Sequence, residues 1–125
     1  MSDSSTFPYD TRLNVLHGPL EVIDVGALAG AVSHPWFNQT LTRVNDAVVR
    51  VGVIQGEYHW HHHDVEDEFF YVVSGRLFID LEERTVELAP MQGFTVPHGV
   101  RHRTRAPGKT VILMVEPAGI IPTGN

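Results

Sequence analysis

The sequence predicts an all-β protein, an antiparallel barrel or jelly roll of roughly eight to eleven short strands. Three observations predict it. Short apolar runs rich in Val, Ile and Phe recur from Gln39 onward, with turn residues between them. Pro90, Pro97, Pro107 and Pro117 punctuate the second half, and proline belongs to connections and not to central strands. No helical periodicity of useful length follows residue 31.

The elements follow in chain order. Residues 1 to 12 read as a loosely attached arm. Leu20-Glu21-Val22-Ile23 has the composition of a short strand. Asp24 is a candidate N-cap for one or two helical turns through Ala27, Leu28 and Ala29, since a short carboxylate can accept from the first free N–H groups of a helix. His34-Pro35-Trp36 reads as a turn. Ala47 to Ile54 is a Val-rich strand. Glu68 to Val73 is apolar on both alternating faces, as a strand enclosed on both sides would be. Ser74-Gly75 is a turn, and Arg76 to Leu81 places Leu77, Ile79 and Leu81 on one face. Glu82-Glu83 turns the chain into Arg84 to Leu88, and Lys109 to Glu116 is a further apolar strand.

Composition narrows the function classes. A chain of 125 residues is one domain with room for a core. No run of about 18 apolar residues is present, so no membrane span is expected. Met1 to Asp10 has neither a basic start nor an apolar run, so it is not a secretory signal and a cytoplasmic location is expected. There is no cysteine, hence no disulfide and no thiolate ligand. A net charge of −6 argues against a nucleic-acid partner. No phosphate loop, nucleotide fingerprint or Ser-His-Asp order is present.

Histidine is the unusual component. Of eight in the chain, His59, His61, His62 and His63 fall within five residues, a density that reads as metal binding. On a strand, His61 and His63 would face one way, His59 with them and His62 opposite. Asp64-Val65-Glu66-Asp67 is long enough to reverse the chain and return Glu68 beside the pair. His102 follows the turn Pro97-His98-Gly99-Val100-Arg101. Three imidazoles and one carboxylate suit Fe, Mn, Ni, Co, Zn or Cu better than Ca or Mg, which prefer all-oxygen shells. From the His pair alone, a solvated turn is an equal reading.

Two longer motifs decide between them by resemblance. Gly56 through His63, then Asp67-Glu68 through Gly75, resembles the first motif of the cupin family: Gly, His-x-His, a gap of three or four, Glu, a gap of six, Gly. Here the gaps are four and six. Pro97-His98-Gly99-Val100-Arg101-His102 resembles the second motif, Pro-x-Gly-x-x-His. The chain is similar to small single-domain bacterial cupins labelled mannose-6-phosphate-isomerase-like, with its Trp60-His61 and Asp67-Glu68-Phe69-Phe70 segments and its Glu116-Pro117…Thr123-Gly124 ending. This implies a double-stranded β-helix (jelly-roll) barrel over about 39–117, with an arm or helical turn over 1–38, in a single domain 1–125. It implies one divalent transition metal on His61, His63, Glu68 and His102. Three departures touch loops or neighbours of the ligands. Gly56 sits one residue closer to His61 than usual. Met91 and Gln92 stand where the family has glycine and an acidic residue, with Gly93 a candidate substitute for that turn. His59 stands where an apolar residue is usual.

The remaining features complete the expectation. Arg101, Arg103 and Arg105 lie opposite His102 and should point outward. Tyr58 and Trp60 alternate with the ligands and should pack against a neighbouring sheet. Phe70, Val72, Leu77, Ile79, Ile112 and Met114 should line the pocket. His59 is the candidate catalytic residue, with two equal readings: an acid/base near the metal, or a group that supports the ligands from outside them. The resemblance implies a metal-dependent enzyme acting on a small polar metabolite, with isomerase or dioxygenase-like chemistry. The alternative is a non-catalytic metallated sensor or binding module. The expected partners are a small-molecule ligand and a second copy in a homodimer, covered by apolar residues of the first 45 such as Leu13, Leu16, Ile23 and Trp36.

Overall fold

Eight strands and one short helix make up residues 7–125, the part of the chain that the computed structural model describes. They are β1 (Asp10–Arg12), α1 (Val25–Ala31), β2 (Trp36–Val44), β3 (Ala47–Glu57), β4 (Glu68–Ser74), β5 (Leu77–Leu81), β6 (Thr85–Leu88), β7 (Gly93–Val96) and β8 (His102–Pro117). The strands hydrogen-bond in the order β1-β2-β3-β8-β4-β7, with β5 pairing both β8 and β6. All these pairings are antiparallel except β1 with β2. The all-β jelly-roll expectation therefore holds.

The organising strand is β8. Its first part, His102 to Arg105, pairs with β5, and Val111 to Val115 pairs with β4. Its other edge runs along β3 from Arg105 to Pro117. One strand thus carries a ligand candidate at its start and closes the barrel at its end. Pro107 lies inside this strand, contrary to the expectation that proline marks a connection. It is tolerated because the β3–β8 register shifts there: Gly56 pairs Ala106 and Ile54 pairs Thr110. The residues between need no ladder donor, so proline's missing N–H is harmless.

Two apolar layers result from strand alternation. The inner layer includes Trp36, Ile54, Phe70, Val72, Ile112 and Met114. The outer layer joins Phe37, Leu41, Val51, Val53 and Val111 with Ala29 of α1. Asp24 caps that helix as expected, accepting from Ala27 N at 2.9 Å. The β2–β3 hairpin turns on Asn45 and Asp46, with Asn45 at φ 53°, a left-handed position asparagine accepts more readily than most residues.

Four local expectations change. Leu20 to Ile23 is not a strand: Leu20 adopts φ 68°, and its side chain and that of Val22 are fully exposed. No neighbouring strand is there to take up its backbone. The arm is not loose over its described part, since β1 pairs with β2 and Tyr9 packs on the inner core; residues 1–6 lie outside the described residues. Strand β2 starts at Trp36, which the sequence placed in a turn. Gly93 does not serve the turn before β7. It enters the strand against Phe69, where an added Cβ would sit 2.7 Å from the ring. Met91 itself takes the left-handed conformation, at φ 69°.

That last finding yields a stability prediction. An L-residue in the left-handed region costs about 1–2 kcal/mol, and glycine's extra unfolded-state freedom costs about 0.4–1 kcal/mol. Met91 is exposed, so little burial is lost on removing its side chain. Met91→Gly should stabilise the protein by about 0.5–1 kcal/mol in urea denaturation. Equal or lower stability would show that Met91 is not strained.

Candidate metal centre

The register shift between β3 and β8 at Gly56 sets the site's entry. Gly56 has φ 110°, a conformation open to glycine at little cost. Alternation nevertheless runs through it: Tyr58 shares the inward parity of Arg50 and Ile54 and is buried beside Ile54. Strand β3 ends at Glu57, and the chain continues extended to His61. There it meets the start of β8. His61 N donates to His102 O and His102 N to His61 O, both at 2.9 Å. This bridge joins the two histidine segments directly. A second tie lies at the loops, where Gly99 N donates to His63 O at 2.8 Å and His98 N to Asp67 Oδ1 at 2.9 Å.

His61, His63, Glu68 and His102 are all buried, and each presents a donor atom within 4.8 Å of the other three. Glu68 Oε1 lies 3.3 Å from His102 Nε2 and 3.6 Å from His63 Nε2. Ligands held at about 2.1 Å from one ion sit about 3–4 Å apart, so the spacing suits a shared metal. The tautomers agree. His61 Nδ1 donates to His59 O and His102 Nδ1 to Val100 O, each at 2.9 Å. Backbone carbonyls therefore fix both rings with Nε2 unprotonated and turned to the centre. His102 Nε2, Glu68 Oε1 and both nitrogens of His63 have no hydrogen-bond partner among the described residues. Leaving a buried polar atom unpaired costs about 1–3 kcal/mol. Converging lone pairs repel, and a cation removes both problems at once. The residues present thus fit a divalent metal.

Electrostatics keeps the ligands in their binding forms. Burial, and then the neighbouring His102, push the His61 pKa down to about 4, so the ring is neutral at pH 7. Burial pushes the Glu68 carboxyl up, but the His102 and His63 rings outweigh it and hold it below the usual range.

A cavity of about 40 Å3 adjoins the site and is bordered by His61 and Glu68, room for about three waters. Trp36, Tyr58, Phe70, Ile112 and Met114 form much of its wall. Phe70, Ile112 and Met114 were expected there. Val72, Leu77 and Ile79 instead belong to the closed core behind it. Tyr58 was expected to pack against a neighbouring sheet, opposite the ligands; it instead shares the inward face of Ile54, because alternation breaks only between Tyr58 and His61, and its hydroxyl donates to Pro122 O at 3.1 Å.

His59 does not border the cavity. Its Nε2 donates to Thr123 O at 2.7 Å, and Tyr9 Oη lies 3.1 Å from its Nδ1. The ring stacks between Phe7 and Tyr58 at centroid distances of 4.5 and 4.6 Å. Two residues separate Tyr58 from His61 without a regular strand, so His59 does not share the ligand face. Its backbone carbonyl orients His61.

The sequence missed Arg50 and Glu116, which also border the cavity. They form an ion pair at 3.0 Å with side chains 5 % and 2 % exposed. Burial and the adjacent Glu68 charge push the Glu116 carboxyl well up, and Arg50 only partly opposes this. The available signal was a charge at an inward position of the Val-rich strand, Val48-Val49-Arg50-Val51. The arginine stripe points outward as expected. Asp80 accepts from Arg103 Nε and Arg105 Nε at 2.8 Å. Trp60 lies between Arg101 and Arg103, their guanidinium carbons 5.0 and 5.5 Å from its ring centroid.

Comparison with known proteins agrees with this architecture. The chain is 42 % identical over 91 residues to the Bacillus subtilis protein YdbB, covering 72 % of this chain and 80 % of that one. It is 44 % identical over 55 residues to polyketide synthase CurC of Streptomyces cyaneus, covering 44 % of this chain and 36 % of CurC. A cupin-2 domain protein from Shewanella frigidimarina superposes with a TM-score of 0.73 at 27 % identity, over 77 % of this chain and 94 % of that one. KdgF from Halomonas superposes with a TM-score of 0.59 at 26 % identity, over 69 % and 83 %. Residues 47–116 match the cupin domain family Cupin_2, more than half the chain, and with a jelly roll that gathers three histidines and a glutamate at one buried point, this protein belongs to the cupins.

Proposed function

We propose that this cupin is a metal-dependent enzyme. His61, His63, Glu68 and His102 hold one divalent transition metal, from among Fe, Mn, Ni, Co, Zn and Cu. The substrate is a small polar metabolite, handled by isomerase or dioxygenase-type chemistry. The observation that carries this reading is the set of buried donor atoms without partners, aimed at one point beside a cavity. Bound there, the ion would supply a Lewis acid with positions open to a substrate oxygen pair. The protein supplies the rest. Aromatic and aliphatic walls exclude water, and the His59 and Val100 carbonyls fix the two rings.

Charged groups beyond the ligands favour an enzyme over a non-catalytic metallated binding module. Arg50 and Glu116 sit in the same cavity, and a site that only stores metal has no use for them. The relative named as a polyketide synthase favours a carbonyl-bearing substrate, since adjacent carbonyl or enol oxygens chelate metals well. His59 was the candidate proton carrier. Its two satisfied nitrogens favour a positioning role, through the carbonyl that holds His61. We also propose a homodimer, supported by the exposed apolar side chains of Leu13, Val15, Leu16, Leu20 and Val22.

Four outcomes test these readings. Protein purified without a nickel column should carry about one transition-metal ion per chain by elemental analysis. His102→Ala should weaken metal affinity by more than about 100-fold, beyond the usual loss for an outer partner; unchanged affinity would remove His102 from the site. His59→Gln should keep its metal, its turnover and its pH profile on any substrate found among sugars, keto acids and diols. Turnover lost with metal retained would return His59 to proton transfer.

The fourth outcome concerns pH. The unfolded His61 ring takes its proton near pH 6.5, whereas burial delays this to about pH 4 in the fold. Between those values the unfolded chain binds more protons, so stability falls as pH falls. Chelator-treated protein should lose about 2 kcal/mol between pH 7 and pH 5 through this ring, and His61→Gln should flatten that slope in urea titrations.

A further inference from the structure

We propose that Arg50 forms a second polar pole of the cavity, which binds the carboxylate of a small 2-oxo or 2-hydroxy acid while the substrate's second oxygen faces the histidine centre. The proposal rests on the metal reading above and narrows its substrate class.

Strand geometry places the two poles together. Arg50 lies on the inward face of β3 with Val48 and Ile54. It pairs in register with Met114, which pairs in turn with Phe70 of β4. Phe69 pairs with Val115, so Glu68 and Glu116 come next along the same two strands. Two inward carboxylates therefore face each other across a ladder, an arrangement that is unfavourable without a cation beside each. Glu116 has Arg50 beside it, 3.0 Å away. Glu68 has the histidine centre.

The Arg50–Glu116 pair is incompletely satisfied. Arg50 Nε and Glu116 Oε1 have no hydrogen-bond partner among the described residues. A buried pair kept for stability alone is readily replaced by packed apolar side chains, and one left partly unpaired in a cavity calls for a ligand. Guanidinium matches a carboxylate with directed, paired donors. Charge agrees. With a divalent ion and one arginine against the Glu68 carboxylate, the cavity stays net positive whether or not Glu116 holds a proton, and an anion offsets that charge. Size sets the upper limit, because a cavity of about 40 Å3 excludes any ligand larger than a short acid. A short acid with a small alkyl tail meets all three conditions.

The test uses Co(II)-loaded protein, 2-oxobutyrate as the probe and 1-hydroxybutan-2-one as its neutral counterpart. Calorimetry reads affinity, and the cobalt visible spectrum reads the metal centre. Wild type should bind 2-oxobutyrate at least tenfold more tightly than the ketone. Arg50→Met should abolish that preference and leave the unliganded cobalt spectrum unchanged. Removing arginine strands Glu116, so the double variant R50M/E116M is measured in parallel; it should fold, load cobalt and show the same loss. Either variant binding 2-oxobutyrate as wild type does, or wild type binding the ketone equally well, would overturn the proposal. If wild type takes up no cobalt, the metal reading fails separately. Calorimetry on chelated protein then decides Arg50 alone: a 2-oxobutyrate affinity lost in R50M supports it, and no difference between the two removes it.

Discussion

Two backbone hydrogen bonds between His61 and His102, each 2.9 Å long, hold together what the rest of the site needs. They join the end of the extended segment after β3 to the first residue of β8, forty-one positions along the chain. Their geometry faces the two side chains into the same space, and local carbonyls then orient each ring. Glu68 opens β4 on the opposite wall, and the Asp67–His98 contact keeps that strand's entry against the second histidine loop. Loss of the bridge would scatter the donors even with every ligand present.

The arrangement has a cost that explains its chemistry. Three imidazoles and a carboxylate converge on one buried point with donor atoms left unpartnered. A second carboxylate stands across the ladder and is matched by a buried arginine. Apolar packing on the inner face and the second layer under α1 must supply the stability that this polar interior consumes. Such strain is expected at a functional site and has no use in a structural core. The outer arginine stripe is a different case. There Asp80 collects Arg103, Arg105 and Thr85 at the barrel surface, and Arg105 above all holds its carboxyl below the usual range. Each donor has a clear partner, and nothing is left open.

The sequence alone determined the fold class and the four convergent ligand candidates. Alternating apolar runs can bury themselves only as sheets, and two histidine segments with a returning glutamate carried a recognisable spacing. It also determined the helix cap at Asp24, which depends on residues three apart. Tertiary structure decided everything that rests on which way a bulge turns. The irregular step between Tyr58 and His61 kept Tyr58 inward with Ile54 and took His59 off the ligand face, and no sequence period registers such a step. Arg50 and Glu116 were invisible as a pair because they lie on neighbouring strands sixty-six residues apart, and each reads singly as an ordinary surface charge. Pro107 became a strand residue only because β8 itself bulges there, with Pro107 to Lys109 standing opposite the single Gln55 of β3. A period of two predicts faces within one regular strand; register between strands is set by long-range pairing, and that is where this cavity acquired its second polar end.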